Sequence, residues 1–408
     1  MNINLQRWID RWAGIPLCAA VSAADALMRR FRPPATNDNK PRAIVVILLS
    51  EMGSLVLAND MFARLKQRYP DAPLHALLFR KNREILDLMQ VMDPANVHTV
   101  DDRSLASLLA SLGKAIGELR RAKVDVAIDC ELFSRISSLL SYASGAAVRV
   151  GFHRHTQEGL YRGSHINRRV PYNPYHHISA QFLTLARAID STAVPKSKLP
   201  LLAGPKPPPH VQLDSTLIQA IRSRLAQDFP FISGKPLVLV YPGGGILPIR
   251  AWPLASYTAL CQGLVADGCA VAVIGLKDDQ ALARQLVANV QAGFPDSPVI
   301  DLTGYTRSIS ELLALFHVAR LLVTNDGGPG QFAALTPIWT LMLFGPETPG
   351  LYAPLTPQCY SFYSNWPCSP CLTAYNHRSS YCDGDNQCLK VIAPAAVLAK
   401  AREFLASA

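Results

Sequence analysis

Three glycine-bearing turns hold the residues whose types and spacing could do chemistry. They are Leu49-Ser50-Glu51-Met52-Gly53-Ser54, then Tyr241-Pro242-Gly243-Gly244-Gly245 with Arg250-Ala251-Trp252-Pro253 close behind, and Thr324-Asn325-Asp326-Gly327-Gly328-Pro329. Each stands where an apolar run gives way to a helical pattern. Glycine there lets backbone N–H groups approach a ligand, and the unpaired donors of a helix start attract anions. Arg250 could add a bidentate contact to phosphate. One such turn alone is better explained as a tight strand-to-helix connection. Two in the same half of the chain, one with an arginine nearby, point to a phosphate-bearing ligand. In the first turn, Glu51 supplies a charge favourable at a helix start.

Two further clusters stand apart from these turns. Cys368, Cys371, Cys382 and Cys388 form C-x2-C-x10-C-x5-C, with His377 inside the span. Four thiolates so spaced can close a tetrahedral site, so a structural zinc is the first expectation and an iron–sulfur cluster the second. A redox-sensitive clip and four free thiols are the remaining readings. Cys18, Cys130, Cys261, Cys269 and Cys359 are scattered. Residues 152–177 contain His153, Arg154, His155, Arg162, His165, Arg168, Arg169, His176 and His177. This stretch suits an anionic ligand or forms a solvated basic loop.

The elements that must position these groups follow from periodicity. Apolar runs at 43–49, 74–79, 97–100, 124–129 and 148–150 read as buried strands separated by helical patterns. The same rhythm returns at 237–241, 270–274, 299–301, 321–324 and 339–344. Strands alternating with helices argue for parallel sheets covered on both faces. Residues 43–190 and 213–408 then form two doubly wound domains, the second carrying the Cys-rich segment 368–388. The Pro-rich residues 191–212 are their linker, and 33–42 join on an N-terminal segment, 1–32. In that segment Trp8, Trp12, Ile15, Leu17, Val21, Leu27 and Met28 recur among Arg7, Arg11, Arg29, Arg30 and Arg32. Pro16 is expected to break its helix. The segment could lie in a membrane interface or pack on the protein's own surface.

The 408 residues are 49% hydrophobic and 17% charged, enough for full cores and too apolar for a disordered chain. The net charge of +10 favours an anionic partner. No apolar run reaches the ~20 residues of a spanning helix, and no signal-peptide pattern is evident. A cytoplasmic protein is therefore expected, and the membrane reading of the N-terminal segment would make it peripheral on the inner face of the cytoplasmic membrane. Nucleic acid is set aside as a partner, because charge alone speaks for it and no binding module is recognisable.

The order and spacing of these motifs resemble glycosyltransferase family 9, the heptosyltransferases of lipopolysaccharide core synthesis. The resemblance covers residues 43–405 and rests on seven places. These are Ile47-Leu48-Leu49-Ser50 with Gly53, Asp125-Val126-Ala127-Ile128-Asp129, Val148-Arg149-Val150-Gly151-Phe152, Pro242-Gly243 with Arg250-Ala251-Trp252-Pro253, Asp301-Leu302-Thr303-Gly304, Asn325-Asp326-Gly327-Gly328-Pro329 with Ala333-Ala334, and Phe344-Gly345-Pro346. The resemblance implies an α/β fold of the GT-B type, two Rossmann-like doubly wound parallel-sheet domains with an inter-domain cleft. The first domain would bind the acceptor and the second the nucleotide sugar, typically ADP-heptose, with no metal required for catalysis.

By position, the resemblance implies donor contacts from Gly243, Gly244, Gly245, Thr303, Gly304, Asp326, Gly327, Gly328 and Gln331. Asp278 or Asp279 would take the donor ribose, unless either caps the helix. Arg250 and the Asp326 turn would stabilise the departing diphosphate. Gly53, Arg154, Arg162, Arg168 and Arg169 would meet the acceptor. Two positions depart from the family. Ser54 stands where the family has its presumed base, an Asp, which leaves Glu51 as the carboxylate in that turn. Gln331 stands where the family has His. The expected function is an inverting transferase moving a heptose-type sugar from ADP-heptose to an anionic, lipid-linked acceptor such as the lipopolysaccharide core. The alternatives are another donor and acceptor pair, or a non-catalytic GT-B protein that binds a nucleotide sugar or glycan.

Overall fold

A computed structural model of the chain describes residues 3–31, 40–49, 51–132, 134–153, 161–201, 203–375 and 379–407. Ser50, Arg154, His155 and His377 lie outside the described residues. The chain divides into two compact units, Met1–Lys206 and Pro207–Ala408. Each is built on a six-stranded parallel sheet.

The first sheet contains β1 (Ile44–Ile47), β2 (Leu74–Phe79), β3 (Val97–Val100), β4 (Val126–Asp129), β5 (Val148–Phe152) and β6 (Arg168–Val170), in the spatial order β3-β2-β1-β4-β5-β6. The second contains β7 (Leu237–Tyr241), β8 (Ala270–Gly275), β9 (Val299–Thr303), β10 (Leu321–Asn325), β11 (Trp339–Phe344) and β12 (Cys359–Tyr363), in the order β12-β11-β10-β7-β8-β9. The central strands are runs of Val, Ile and Leu buried on both faces, as a sheet sandwiched by helices requires. Register is parallel throughout, with Ile44 facing Leu74 on one side and Val126 on the other.

Strand order reverses between β1 and β4 in the first sheet and between β7 and β10 in the second. Connections leaving such neighbours diverge, which opens a crevice at their C-terminal ends. The three glycine-bearing turns sit there: one after β1, one after β7 and one after β10.

Two strands and one helix escape the periodicity. The β6 sequence, Arg-Arg-Val, reads as a loop, yet it completes the edge beside β5, where charged side chains are tolerated. The β12 strand, Cys-Tyr-Ser-Phe-Tyr, has no fully buried residue. The Arg135–Ala143 helix is rich in serine, and its apolar stripe is thin. The expected linker is also shorter than its prolines imply. Arg64 donates from Nη2 to the Gly204 carbonyl at 2.7 Å, and the Asp60 carboxylate accepts from the Lys206 amide at 3.0 Å, so this stretch folds with the first unit. The N-terminal segment belongs to the first unit as well. It forms two helices, Ile3–Trp12 and Gly14–Arg29, that part at Ala13 rather than at Pro16. Pro16 lies in the first turn of the second helix, where a missing N–H breaks no intrahelical bond.

His165 joins that segment to the rest of the unit. It is wholly buried, with its ring nitrogens 3.3 Å from Ser22 Oγ and 2.9 Å from Ser138 Oγ. Burial pushes the imidazole down from 6.5 to about 4. Between those values the unfolded chain binds a proton that the folded chain does not. The stability present above the unfolded value is therefore lost as pH falls through the folded one. Urea midpoints followed from neutral to acidic pH should fall accordingly, and His165→Gln should flatten the slope. An unchanged slope would place the acid sensitivity elsewhere.

Candidate functional site

In the second unit the crevice is organised by one carboxamide. Asn325 ends β10 and is wholly buried. Its Nδ2 donates to the carbonyls of Gly243 at 2.9 Å and Pro242 at 3.1 Å, and stands 3.4 Å from that of Tyr241. Its Oδ1 accepts from the Trp252 amide at 3.0 Å and the Tyr257 hydroxyl at 3.1 Å. One side chain thus ties the exit of β10 to the exit of β7 and aims the Leu254–Ala266 helix. The Trp252 indole, buried in the core of the unit, donates to the Leu389 and Ile392 carbonyls.

Arg250 lies between these anchors. Its Nη2 donates to Glu347 Oε2 at 2.5 Å, and its Nε stands 3.5 Å from Asp326 Oδ2. The Arg250 side chain is 14% exposed, and both carboxylates are buried more deeply. The contacts of Arg250 with both carboxylates run through Nε and Nη2. Glu347 escapes sequence reasoning. The signal for it is its position just after Phe344-Gly345-Pro346 at the exit of β11, the neighbour of β10.

The glycines around Arg250 are sterically required. A Cβ on Gly244 would stand 2.7 Å from the Leu247 carbonyl oxygen, and one on Gly243 would stand 2.9 Å from Asp279 Oδ1. Gly245 adopts φ +60. Asp279 therefore sits beside the Gly243-Gly244-Gly245 loop, where its Oδ2 accepts from the Leu276 amide at 2.9 Å, whereas Asp278 is exposed. Of the two ribose candidates, the structure brings only Asp279 to the crevice. Thr303 is turned to its own strand, donating from its amide and hydroxyl to Asp301 Oδ1 at 2.8 and 2.6 Å. Gly304, with φ +68, donates to the Gly275 carbonyl. Gly327 is extended and precedes the short Gly328–Ala333 helix. Gln331 is buried there and donates from Nε2 to the Tyr352 carbonyl at 2.6 Å.

In the first unit Glu51 and Ser54 are brought together. The Ser54 hydroxyl donates to Glu51 Oε2 at 2.9 Å, so the serine orients the carboxylate. Gly53 lies in the Met52–Leu57 helix that Glu51 precedes. The strand exit feeding this turn is pinned on both sides. The Leu49 amide donates to Glu131 Oε1 and the Asn82 side chain donates to the Leu49 carbonyl, each at 2.6 Å.

The expected acceptor arginines do not form an open cluster. Arg162 is wholly buried, ion-paired with Asp129, and donates to the Ser134 and Phe152 carbonyls and to Ser137 Oγ. A guanidinium so enclosed cannot meet an acceptor, and its role is to hold the loop before β6. Burial raises the Asp129 carboxyl to about 6 against the opposing pull of Arg162. Arg168 and Arg169 are half-buried. Arg168 donates to the Ile189 carbonyl, and Arg169 to those of Ile166 and Ser164. Arg154 lies outside the described residues.

Cys368, Cys371, Cys382 and Cys388 line one cavity of about 390 Å³, together with Trp366, Tyr381 and Asn386. Burial, then the neighbouring Cys371, Cys368 and Cys382, push the Cys388 thiol up to about 11. Among the described residues no three His, Cys, Asp or Glu side chains converge closely enough to share an ion as placed. The segment nonetheless grips the crevice. The Cys371 and Leu372 amides both donate to the Pro346 carbonyl at 2.9 Å, and Ser369 Oγ donates to that of Gly345. Asn386 Nδ2 donates to the Ile249 carbonyl at 2.6 Å. The loops carrying Glu347 and Arg250 both hang on the cysteine segment.

A family model described as glycosyltransferase family 9 (heptosyltransferase) matches residues 112–381. Lipooligosaccharide heptosyltransferase 2 of Haemophilus ducreyi is 25% identical over 318 residues, which cover 77% of this chain and 86% of that protein. The structure of Escherichia coli ADP-heptose lipopolysaccharide heptosyltransferase II superposes with a TM-score of 0.67 at 20% identity, over 90% of this chain and 99% of the other. The iron-containing dodecameric glycosyltransferase TibC of enterotoxigenic E. coli superposes with a TM-score of 0.52 at 13% identity, over 91% of this chain and 80% of the other. These likenesses confirm the two-unit α/β GT-B fold.

Asn325→Leu keeps the volume and removes the junction. It leaves buried carbonyls and an amide unpaired, at about 1–3 kcal/mol for each group left unsatisfied. The second unit should lose about 3 kcal/mol in urea denaturation. A loss under about 1 kcal/mol would mean that water takes over these hydrogen bonds.

Proposed function

Because the chain belongs to glycosyltransferase family 9, we propose that it transfers a heptose-type sugar, with inversion, from ADP-heptose to an anionic, lipid-linked acceptor of the lipopolysaccharide-core kind. The observation that carries this reading is Arg250 at the β7–β10 crevice, braced through Nη2 and Nε by Glu347 and Asp326. The names of the family's lipopolysaccharide and lipooligosaccharide heptosyltransferases support the choice of sugar and acceptor.

The steps follow from the side chains. Glu51, oriented by Ser54, accepts the proton of the acceptor hydroxyl. The oxygen attacks the anomeric carbon as the bond to the diphosphate breaks. Arg250 and the backbone of the Asp326-Gly327-Gly328 turn meet the charge that develops on the leaving ADP. Asp279, beside Gly243, takes the donor ribose. A second reading, binding of a nucleotide sugar without transfer, is favoured by Gln331, whose amide is engaged by the Tyr352 carbonyl.

ADP release with and without acceptor separates these readings. The unmodified protein should release ADP only with acceptor. Arg250→Gln should lower that rate by about 10²–10³-fold. Glu51→Gln should lower it by about 10²–10⁴-fold with donor affinity unchanged. Donor binding without release would favour the second reading, and absence of binding would mean another donor.

The cysteine cavity is proposed to hold a structural zinc, with an iron–sulfur cluster as the second reading, through Cys368, Cys371, Cys382 and Cys388, by analogy of donor chemistry. Thiolates suit either metal, and the raised Cys388 thiol would give up its proton on binding. Such an ion would clamp the segment and take no part in the transfer step. Metal analysis of the full chain should find close to one ion per protein. Cys368→Ser combined with Cys371→Ser should remove it and lower the melting temperature. A metal-free protein with four titratable thiols in this segment would overturn the assignment.

A further inference from the structure

The N-terminal helices pack against the first unit the wrong way round for a soluble helix pair. Their buried seam is small and polar. Gly14 lies so close to Arg135 that a Cβ there would stand 2.7 Å from its side chain. Cys18 is wholly buried beside the Arg135 carbonyl. Ser22 Oγ accepts from the Ser164 amide at 2.8 Å, and Asp25 pairs with Arg149 at 2.8 Å. Asp10 Oδ1 accepts from the Arg135 and Ile136 amides at 2.8 and 2.9 Å, capping the Arg135–Ala143 helix. The large apolar side chains face outward instead. Trp8, Trp12, Leu27 and Phe31 are between 58% and 82% exposed, and Ile15, Leu17 and Met28 are exposed as well.

Charge is sorted in the same way. Asp10 and Asp25 are the only acidic residues of the first 32, and both are turned inward onto arginines of the unit. Arg11 and Arg30 are exposed, and the Arg11 guanidinium lies 5.7 Å from the centre of the Trp12 ring. The outward surface is therefore apolar and positive, with its acids neutralised beneath it. An apolar patch of this kind marks a docking site rather than a solvated surface.

We propose that this helix pair is a membrane-docking surface that lies in the interface of a bilayer rich in anionic lipid. Indole and phenyl rings enter the boundary between headgroups and acyl chains, while the arginines meet lipid phosphates. No described helix is long and apolar enough to cross a membrane, so the pair lies on the surface. A second copy of the chain fits less well, because a two-fold contact would set the same positive surface against itself. The inference extends the proposed function, since it places the enzyme at the surface where a lipid-linked acceptor is held. Its test needs neither donor nor acceptor, so failure of one reading leaves the other standing.

Full-length protein is sedimented with vesicles of phosphatidylcholine alone or mixed with phosphatidylglycerol, at low and raised salt. Binding to the anionic vesicles should be at least ~10-fold stronger and should weaken with salt. Trp8→Ser, Trp12→Ser and Phe31→Ser combined should reduce it at least ~10-fold, with the melting temperature unchanged because these side chains are exposed. No binding of the unmodified protein to anionic vesicles would overturn the proposal, as would equal binding by the triple variant. A dimer in solution that the triple variant splits would also overturn it, in favour of a contact between copies.

Discussion

The Asn325 carboxamide is the constraint on which the second unit's crevice depends. Parallel strands that diverge at a switch point leave their last carbonyls without ladder partners. Here the carbonyls of Tyr241, Pro242 and Gly243 turn to one buried side chain, which also receives the Trp252 amide and the Tyr257 hydroxyl. In a low-dielectric interior a satisfied network of this kind is rigid, because any rearrangement leaves a group bare. Arg250 inherits that rigidity. It is two residues from Trp252, and its guanidinium is held by carboxylates from the neighbouring strand exits.

The first unit solves a similar problem with charge. Asp129 at the end of β4 pairs with Arg162, while Asp10 and Asp25 anchor the N-terminal helices to Arg135 and Arg149. Breaking one member of such a buried pair leaves an uncompensated charge, so these pairs fix position more than they add stability. Much of the positive charge that looks available for ligands in the sequence is thus internal structure. Arg162, Arg168 and Arg169 donate to backbone carbonyls of their own unit.

The parts of the fold that were legible are those in which local pattern and global environment agree. The apolar runs from Ile44 to Ile47 and from Leu237 to Tyr241 could only be buried strands, and the glycine turns behind them had to sit at the strand ends. Asn325 was visible inside its turn, but its function depends on carbonyls some eighty residues away in sequence. Glu347 was missed for the same reason: its place after Phe344-Gly345-Pro346 marks a strand exit, but not its pairing with Arg250. Arg162 misleads because a charged residue type does not reveal burial. The Ser-rich helix Arg135–Ala143 and Asp129 were the available clues to its true surroundings. The N-terminal segment was legible as helical and amphipathic, but which stripe it buries depends on Arg135 and Arg149, far along the chain.

The two carboxylates at Arg250 also bear on how quickly the enzyme can begin again. A bare buried cation would hold a diphosphate tightly and surrender it slowly. Arg250 instead has two counter-ions built in, so a diphosphate bound there as proposed would enter as one anion among three, and on leaving would strand no charge. On the proposed reading the crevice would act as an ion exchanger, trading some grip on the spent nucleotide for speed of clearance.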